Sequence, residues 1–106
     1  MFVVASERNA APVAVVGDDK LVLLPAADSL VLDGSRSTDD DKITAFAWAQ
    51  VAGPRSVTLE NADRAVATAA AADLTPGVYK FQLTVTDKEG QSGKATLTVT
   101  VRQGKP

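Results

Sequence analysis

A chain of 106 residues fits one domain and leaves no room for two. It has no cysteine and no histidine, which excludes a disulfide framework, a thiolate metal site, and the commonest general base and zinc ligand. The net charge of −2 comes from acidic and basic residues interleaved along most of the chain, without the basic stripe and aromatic partners of a nucleic-acid binder.

The opening residues, 1–5, are apolar but too short for a signal peptide and lack a basic region, so residues 1–8 read as linker. Apolar runs such as residues 21–24 fall far short of the ~20 residues a membrane span needs, so no direct membrane insertion is expected. Residues 13–16 predict a first short strand, followed by a Gly17-Asp18-Asp19 turn. Residues 21–24 form the next and end at Pro25, as suits an edge or a strand end. Leu30, Val31 and Leu32 continue the pattern and stop at Asp33-Gly34, after which the polar stretch 35–42 must be a loop. Residues 43–51 make a longer strand, with Phe46 and Trp48 on one face, closed by Gly53-Pro54.

Residues 57–60 and 66–70 predict two weaker strands. The alanine-rich stretch 62–72 invites a helix, but its neighbours are β-like, Val66 and Thr68 interrupt it, and a lone short helix is marginal in water. The last two runs alternate with period two. Tyr79, Phe81, Leu83 and Val85 share one face of residues 78–86, and Ala95, Leu97, Val99 and Val101 share one face of residues 94–102. Threonine, valine and aromatics at this spacing mean half-buried antiparallel strands, joined by the 88–93 loop as a hairpin. Seven or so short strands at this spacing describe an all-β, two-sheet antiparallel sandwich. Its expected core is Leu30, Leu32, Phe46, Trp48 and Leu74 with Tyr79, Phe81, Leu83, Val85, Leu97 and Val99.

Three local signatures narrow the sandwich. Trp48 sits mid-strand, where immunoglobulin-like folds bury an aromatic between sheets. Leu74-Thr75-Pro76-Gly77-Val78-Tyr79 reads as a turn into a tyrosine corner, with the ring in the core and its hydroxyl bonded to backbone upstream. The third is Leu32-Asp33-Gly34-Ser35-Arg36-Ser37-Thr38-Asp39-Asp40. With Asn9-Ala10-Ala11-Pro12-Val13-Ala14, Ala47-Trp48, Gly53-Pro54, Leu59-Glu60-Asn61-Ala62 and Leu83-Thr84-Val85-Thr86-Asp87, the chain resembles the PKD (polycystic kidney disease) domains from Asn9 to Arg102.

The Trp48…Gly53-Pro54 version is similar to tandem PKD modules of dyslexia-associated type I membrane proteins and of bacterial surface proteins. That resemblance implies an immunoglobulin-like PKD domain over residues 9–103, with residues 104–106 starting a linker to a following module. It also implies an extracellular, non-catalytic spacer and protein-contact or adhesion module in a larger cell-surface or secreted protein. Its expected partners are neighbouring domains of the same chain and a protein ligand on a cell surface. A carbohydrate-binding or calcium-stabilised accessory domain of a secreted hydrolase is the alternative. The chain departs from the family in a longer alanine tract before Leu74, and in carrying Leu21 and Leu23 where threonine is usual.

Two sets of residues are candidates for function. Asp39, Asp40 and Asp41 repel one another in a single loop, and a hard cation such as calcium would relieve this with oxygen ligands. The resemblance adds Asn9 and, more loosely, Asp87 to that calcium set. Against it stand the absence of regular Asp-x-Asp-x-Asp-Gly spacing and the adjacent Lys42, which also fit a solvated turn. The second set is Leu21, Leu23 and Val31, which alternation turns outward if Val22, Leu24, Leu30 and Leu32 face the core. An exposed apolar patch of this kind marks an interaction surface or the footprint of a neighbouring segment. No serine has a base to activate it and no glycine run forms a phosphate loop, so no enzyme is expected.

Overall fold

Alternating side chains and turn residues divide this computed structural model into seven strands among its described residues, which are 11–24, 30–39, 43–70 and 73–104. They are β1 (Lys20–Leu24), β2 (Leu30–Asp33), β3 (Ile43–Ala52), β4 (Leu59–Glu60), β5 (Val66–Ala69), β6 (Gly77–Asp87) and β7 (Ser92–Gln103). One sheet has the order β1-β7-β6-β3 and the other the order β2-β5-β4. The expected all-β, immunoglobulin-like sandwich is therefore the fold.

The longest ladder is the β6–β7 hairpin, running from Gly77 opposite Val101 to Thr86 opposite Ser92. Its inward residues Tyr79, Phe81, Leu83, Val85, Leu97 and Val99 are fully buried, as the alternation requires. Most pairs are antiparallel, but β1 runs parallel to β7, with Leu21 opposite Thr100 and Leu23 opposite Arg102. The chain leaves β1 for the other sheet rather than turning back, so this pairing needs no hairpin.

Three sequence expectations change. Residues 13–16 form no named strand: Val13 alone bridges Thr38, while Val16 is buried in the core. Of residues 57–60 only Leu59 and Glu60 are in a strand, because side chains take up the preceding amides. The Gln50 Oε1 atom accepts from the Val57 amide at 2.8 Å, and Asp73 Oδ2 accepts from the Thr58 amide at 2.8 Å. Phe46, on the edge strand β3, packs against the core only partly buried. Within the alanine tract, residues 62–65 turn and β5 follows, whereas residues 71–72 lie outside the described residues.

The two sheets are joined around Trp48. Its backbone amide donates to the Ala62 carbonyl at 2.8 Å, and its indole Nε1 donates to the Ala65 carbonyl at 3.3 Å. The same Ala65 carbonyl accepts from the Gly34 amide at 2.8 Å, at the end of β2. A Cβ atom on Gly34 would run into the Leu83 side chain, the Ala65 carbonyl oxygen and the Trp48 ring. The Leu32-Asp33-Gly34 sequence thus ends β2 where only a bare backbone fits beneath the indole.

At the other end Tyr79 makes the expected corner. Its ring is fully buried, and its hydroxyl oxygen accepts from the Thr75 amide at 3.0 Å and lies 3.1 Å from the Thr75 hydroxyl. The Trp48→Ala substitution should destabilise the fold by about 3–5 kcal/mol through the cavity it opens. Chemical denaturation checks this, and an unchanged midpoint would contradict the junction just described.

Candidate functional site

One end of the sandwich gathers the loops singled out by the sequence. Val13 and Thr38 exchange two backbone hydrogen bonds, of 2.8 and 3.0 Å, and the Val15 amide donates to Ser37 Oγ at 2.8 Å. Pro12 is buried, and its carbonyl lies so close to Gly93 that a Cβ there would collide with it. The leading segment is thereby clipped to the 34–38 loop and laid across the start of β7.

Asp87 closes the hairpin at this end. It is only 2 % exposed, and its Oδ1 accepts from the Glu89 amide at 2.9 Å and the Gln91 amide at 3.0 Å. The Asp87 amide donates to the Gln91 carbonyl at 2.9 Å, and the Gly90 amide donates to the Asp87 carbonyl at 3.1 Å. This carboxylate organises the turn, so at least one of its oxygens is already engaged as a hydrogen-bond acceptor.

Of the other proposed calcium ligands, Asp39 is half-buried beside the clipped loop. Asn9, Asp40 and Asp41 lie outside the described residues. Among the described residues no three acidic groups converge in a way that would hold a metal ion.

Two carboxylates elsewhere stabilise turns. Asp33 Oδ1 accepts from the Ser35 hydroxyl at 2.6 Å and the Ser35 amide at 2.9 Å. These bonds, the hydroxyl first, hold its carboxyl below the usual carboxylate range, and Arg36 and Lys20 add to the effect. Asp73 is lowered likewise, chiefly by the Thr58 amide. Sequence reading also missed Gln50, whose amide group closes the loop after β3. Its Nε2 donates to the Arg55 carbonyl at 2.7 Å and to the Ala52 carbonyl at 3.3 Å. A glutamine continuing the Phe46 and Trp48 face just before Gly53-Pro54 was the available sign.

The three apolar candidates are exposed but do not share a surface. Leu21 and Leu23, 59 % and 56 % exposed, project from β1 in the four-stranded sheet. Val31, 46 % exposed, projects from β2 in the other sheet. Consecutive strands here belong to different sheets, so the set divides between the two outer faces of the sandwich.

Two outcomes follow. Asp87→Ala should lower stability by about 1–3 kcal/mol, because two part-buried amides lose a charged acceptor, while Asp87→Asn, which keeps an oxygen in place, should cost less; denaturant titration of both variants separates them. Because Asp33 and Asp73 titrate lower folded than unfolded, their contribution is complete above the unfolded carboxylate pKa and is lost as pH falls through the folded values. Melting temperature should drop in acid, below about pH 4, and less steeply in an Asp33→Asn/Asp73→Asn variant.

The K319L-like PKD domain family model matches residues 16–101. The dyslexia-associated protein KIAA0319 homolog of Mus musculus is 47 % identical over 100 residues, which are 94 % of this chain and 9 % of that protein. Low-density lipoprotein receptor-related protein 11 of Homo sapiens is 40 % identical over 95 residues, or 90 % of this chain and 18 % of that protein. The chain therefore spans a small part of the relatives it matches. The solution structure of the PKD domain from the KIAA 1837 protein superimposes with a TM-score of 0.78 at 39 % identity, covering 94 % of this chain and 96 % of that one. Sheet order, tyrosine corner, tryptophan junction and relatives agree: the chain belongs to the K319L-like PKD domain family.

Proposed function

We propose that this chain is a non-catalytic extracellular module that spaces and links its neighbours in a larger cell-surface protein and offers its outer faces for protein contact. The observation that carries this reading is the position of the two described ends. Pro12 crosses β7 at Gly93, whereas Gly104 leaves β7 beside Leu24, its amide donating to the Leu24 carbonyl at 2.8 Å. Eleven residue steps of extended chain separate those crossings, about 36 Å at strand rise. A domain joined in series at such points transmits position along its strands.

The direction of β1 suits this role. A pull on the two ends loads the parallel β1–β7 pair along the strands, so its hydrogen bonds must shear together rather than open singly. Buried side chains fill the space between the sheets, and the acidic residues described above serve turns rather than converging on a substrate. Membership of a family whose relatives are far longer than this chain agrees with one module among others.

Force spectroscopy tests the spacer role, and the lack of native cysteine allows thiol handles at chosen positions. Pulling between Ala11→Cys and Gln103→Cys should need several-fold more force than pulling between Val78→Cys and Arg102→Cys, which unzips the β6–β7 hairpin from its open end. Equal forces would sink the reading.

A further inference from the structure

The two outer faces of the sandwich carry opposite charge, although the chain as a whole is nearly neutral. The register fixes which side chains share each face. On the four-stranded sheet, Lys94 stands beside Thr84, Lys80 beside Thr98, and Arg102 beside Leu23. All three cations are exposed, and among the described residues none is seen in an ion pair. The rest of this face is small or uncharged, chiefly threonine on β6 and β7 and alanine on β3. Asp19 borders it at the β1 edge, with Oδ1 3.2 Å from the Thr98 amide, and the face stays net positive.

The three-stranded sheet shows the reverse. Its outward strand positions are Val31 and Asp33 on β2, Val66 and Thr68 on β5, and Glu60 on β4. Two are carboxylates and none is a cation, although Arg36, beyond the strand end, and Lys20, on β1 of the other sheet, both lie near enough to Asp33 to favour its charge. Each face also exposes aliphatic side chains: Leu21, Leu23 and Val78 on the basic one, Val31 and Val66 on the acidic one.

We propose that the basic outer face of β1-β7-β6-β3 docks the acidic outer face of β2-β5-β4 from a second copy of this chain. This deepens the contact role proposed above and rests on it. Spacing supports the pairing as well as sign. Asp33 and Glu60 are two strands and one outward row apart, about 12 Å, while Lys80 lies about 14 Å from both Arg102 and Lys94 by the same strand geometry. Long basic side chains span that difference. Aligned sheets pack about 10 Å apart, close enough for the exposed leucines and valines of the two copies to meet.

Because the two patches differ, the contact is heterologous and repeats, giving an open stack rather than a closed dimer. The acidic sheet is short, so the contact falls among the small, weak interfaces. A nucleic acid or other polyanion is the less favoured occupant of the basic face, since that face presents no aromatic ring for stacking and is bordered by Asp19.

Sedimentation equilibrium of the whole chain tests the proposal. At about 1 mM, where a weak contact is half-formed, the average mass should rise well above 11.0 kDa in low salt. It should return towards one module at about 1 M salt, where the screening length has shrunk to about 3 Å. Lys80→Glu/Lys94→Glu makes both faces acidic, and Asp33→Asn/Glu60→Lys removes the acidic one. Each variant should be monomeric alone, with circular dichroism showing that it is folded, and an equimolar mixture should associate again.

A wild-type mass that stays at one module overturns the proposal, as does association that survives in either folded variant alone or a mixture that stays monomeric. Retention of the wild type on a sulfated polysaccharide without self-association would give the basic face to a polyanion and equally overturn it. The pulling experiment is indifferent to all of these results, so a failure here is distinct from a failure of the spacer role.

Discussion

The packing of one indole over one glycine ties the two sheets together. Trp48 belongs to the four-stranded sheet, Gly34 ends a strand of the other, and the Ala65 carbonyl accepts a hydrogen bond from each. A buried tryptophan contributes a large apolar area, but its N–H needs a partner once water is excluded. The turn before β5 supplies that partner, and Asn61 enters it with a positive φ of 59°. The alanine-rich stretch is therefore shaped by what the indole requires of its backbone rather than by alanine's own preference for helix.

Much of this was legible from alternation alone. The inward faces of β6 and β7 and the Tyr79 ring could be read directly, because threonine, lysine and glutamine separate the apolar residues there at strict period two, and Trp48 stood out as the large aromatic among the alanines of β3. What escaped notice was structure in which a side chain replaces a ladder. Gln50 and Asp73 satisfy the amides of Val57 and Thr58, so residues that look like a strand spend their hydrogen bonds elsewhere. Val13 to Val16 also looks like a strand, yet only Val13 finds a backbone partner, in a loop far along the chain. No periodicity within a short window reports such distant partners.

The candidate sites were less legible than the fold. Exposure of Leu21, Leu23 and Val31 follows from alternation, but their separation onto two faces depends on which sheet each strand joins, a tertiary fact. Asp87 is similar: the family resemblance offers it as a loose calcium candidate, and its burial with two amide donors of the hairpin turn is visible only in the structure. In each case the chemistry of the residue was visible and its surroundings were not. The separation of charge between the faces had the same origin, because Lys80, Lys94 and Arg102 are scattered in sequence and gathered only by the register of two strands.

The position of β7 has a consequence for how the molecule is made. It is the last strand of the described chain, yet it lies inside its sheet, bonded to β6 on one side and to β1 on the other. During synthesis β1 emerges early and waits without its neighbour until almost the whole module has left the ribosome. Its unpaired edge and two exposed leucines are then open to wrong associations for the time needed to translate about eighty residues, several seconds at ordinary elongation rates. The charged residues leading into β1, Asp18 and Asp19 before it and Lys20 at its first position, would discourage such encounters while the nascent strand is alone.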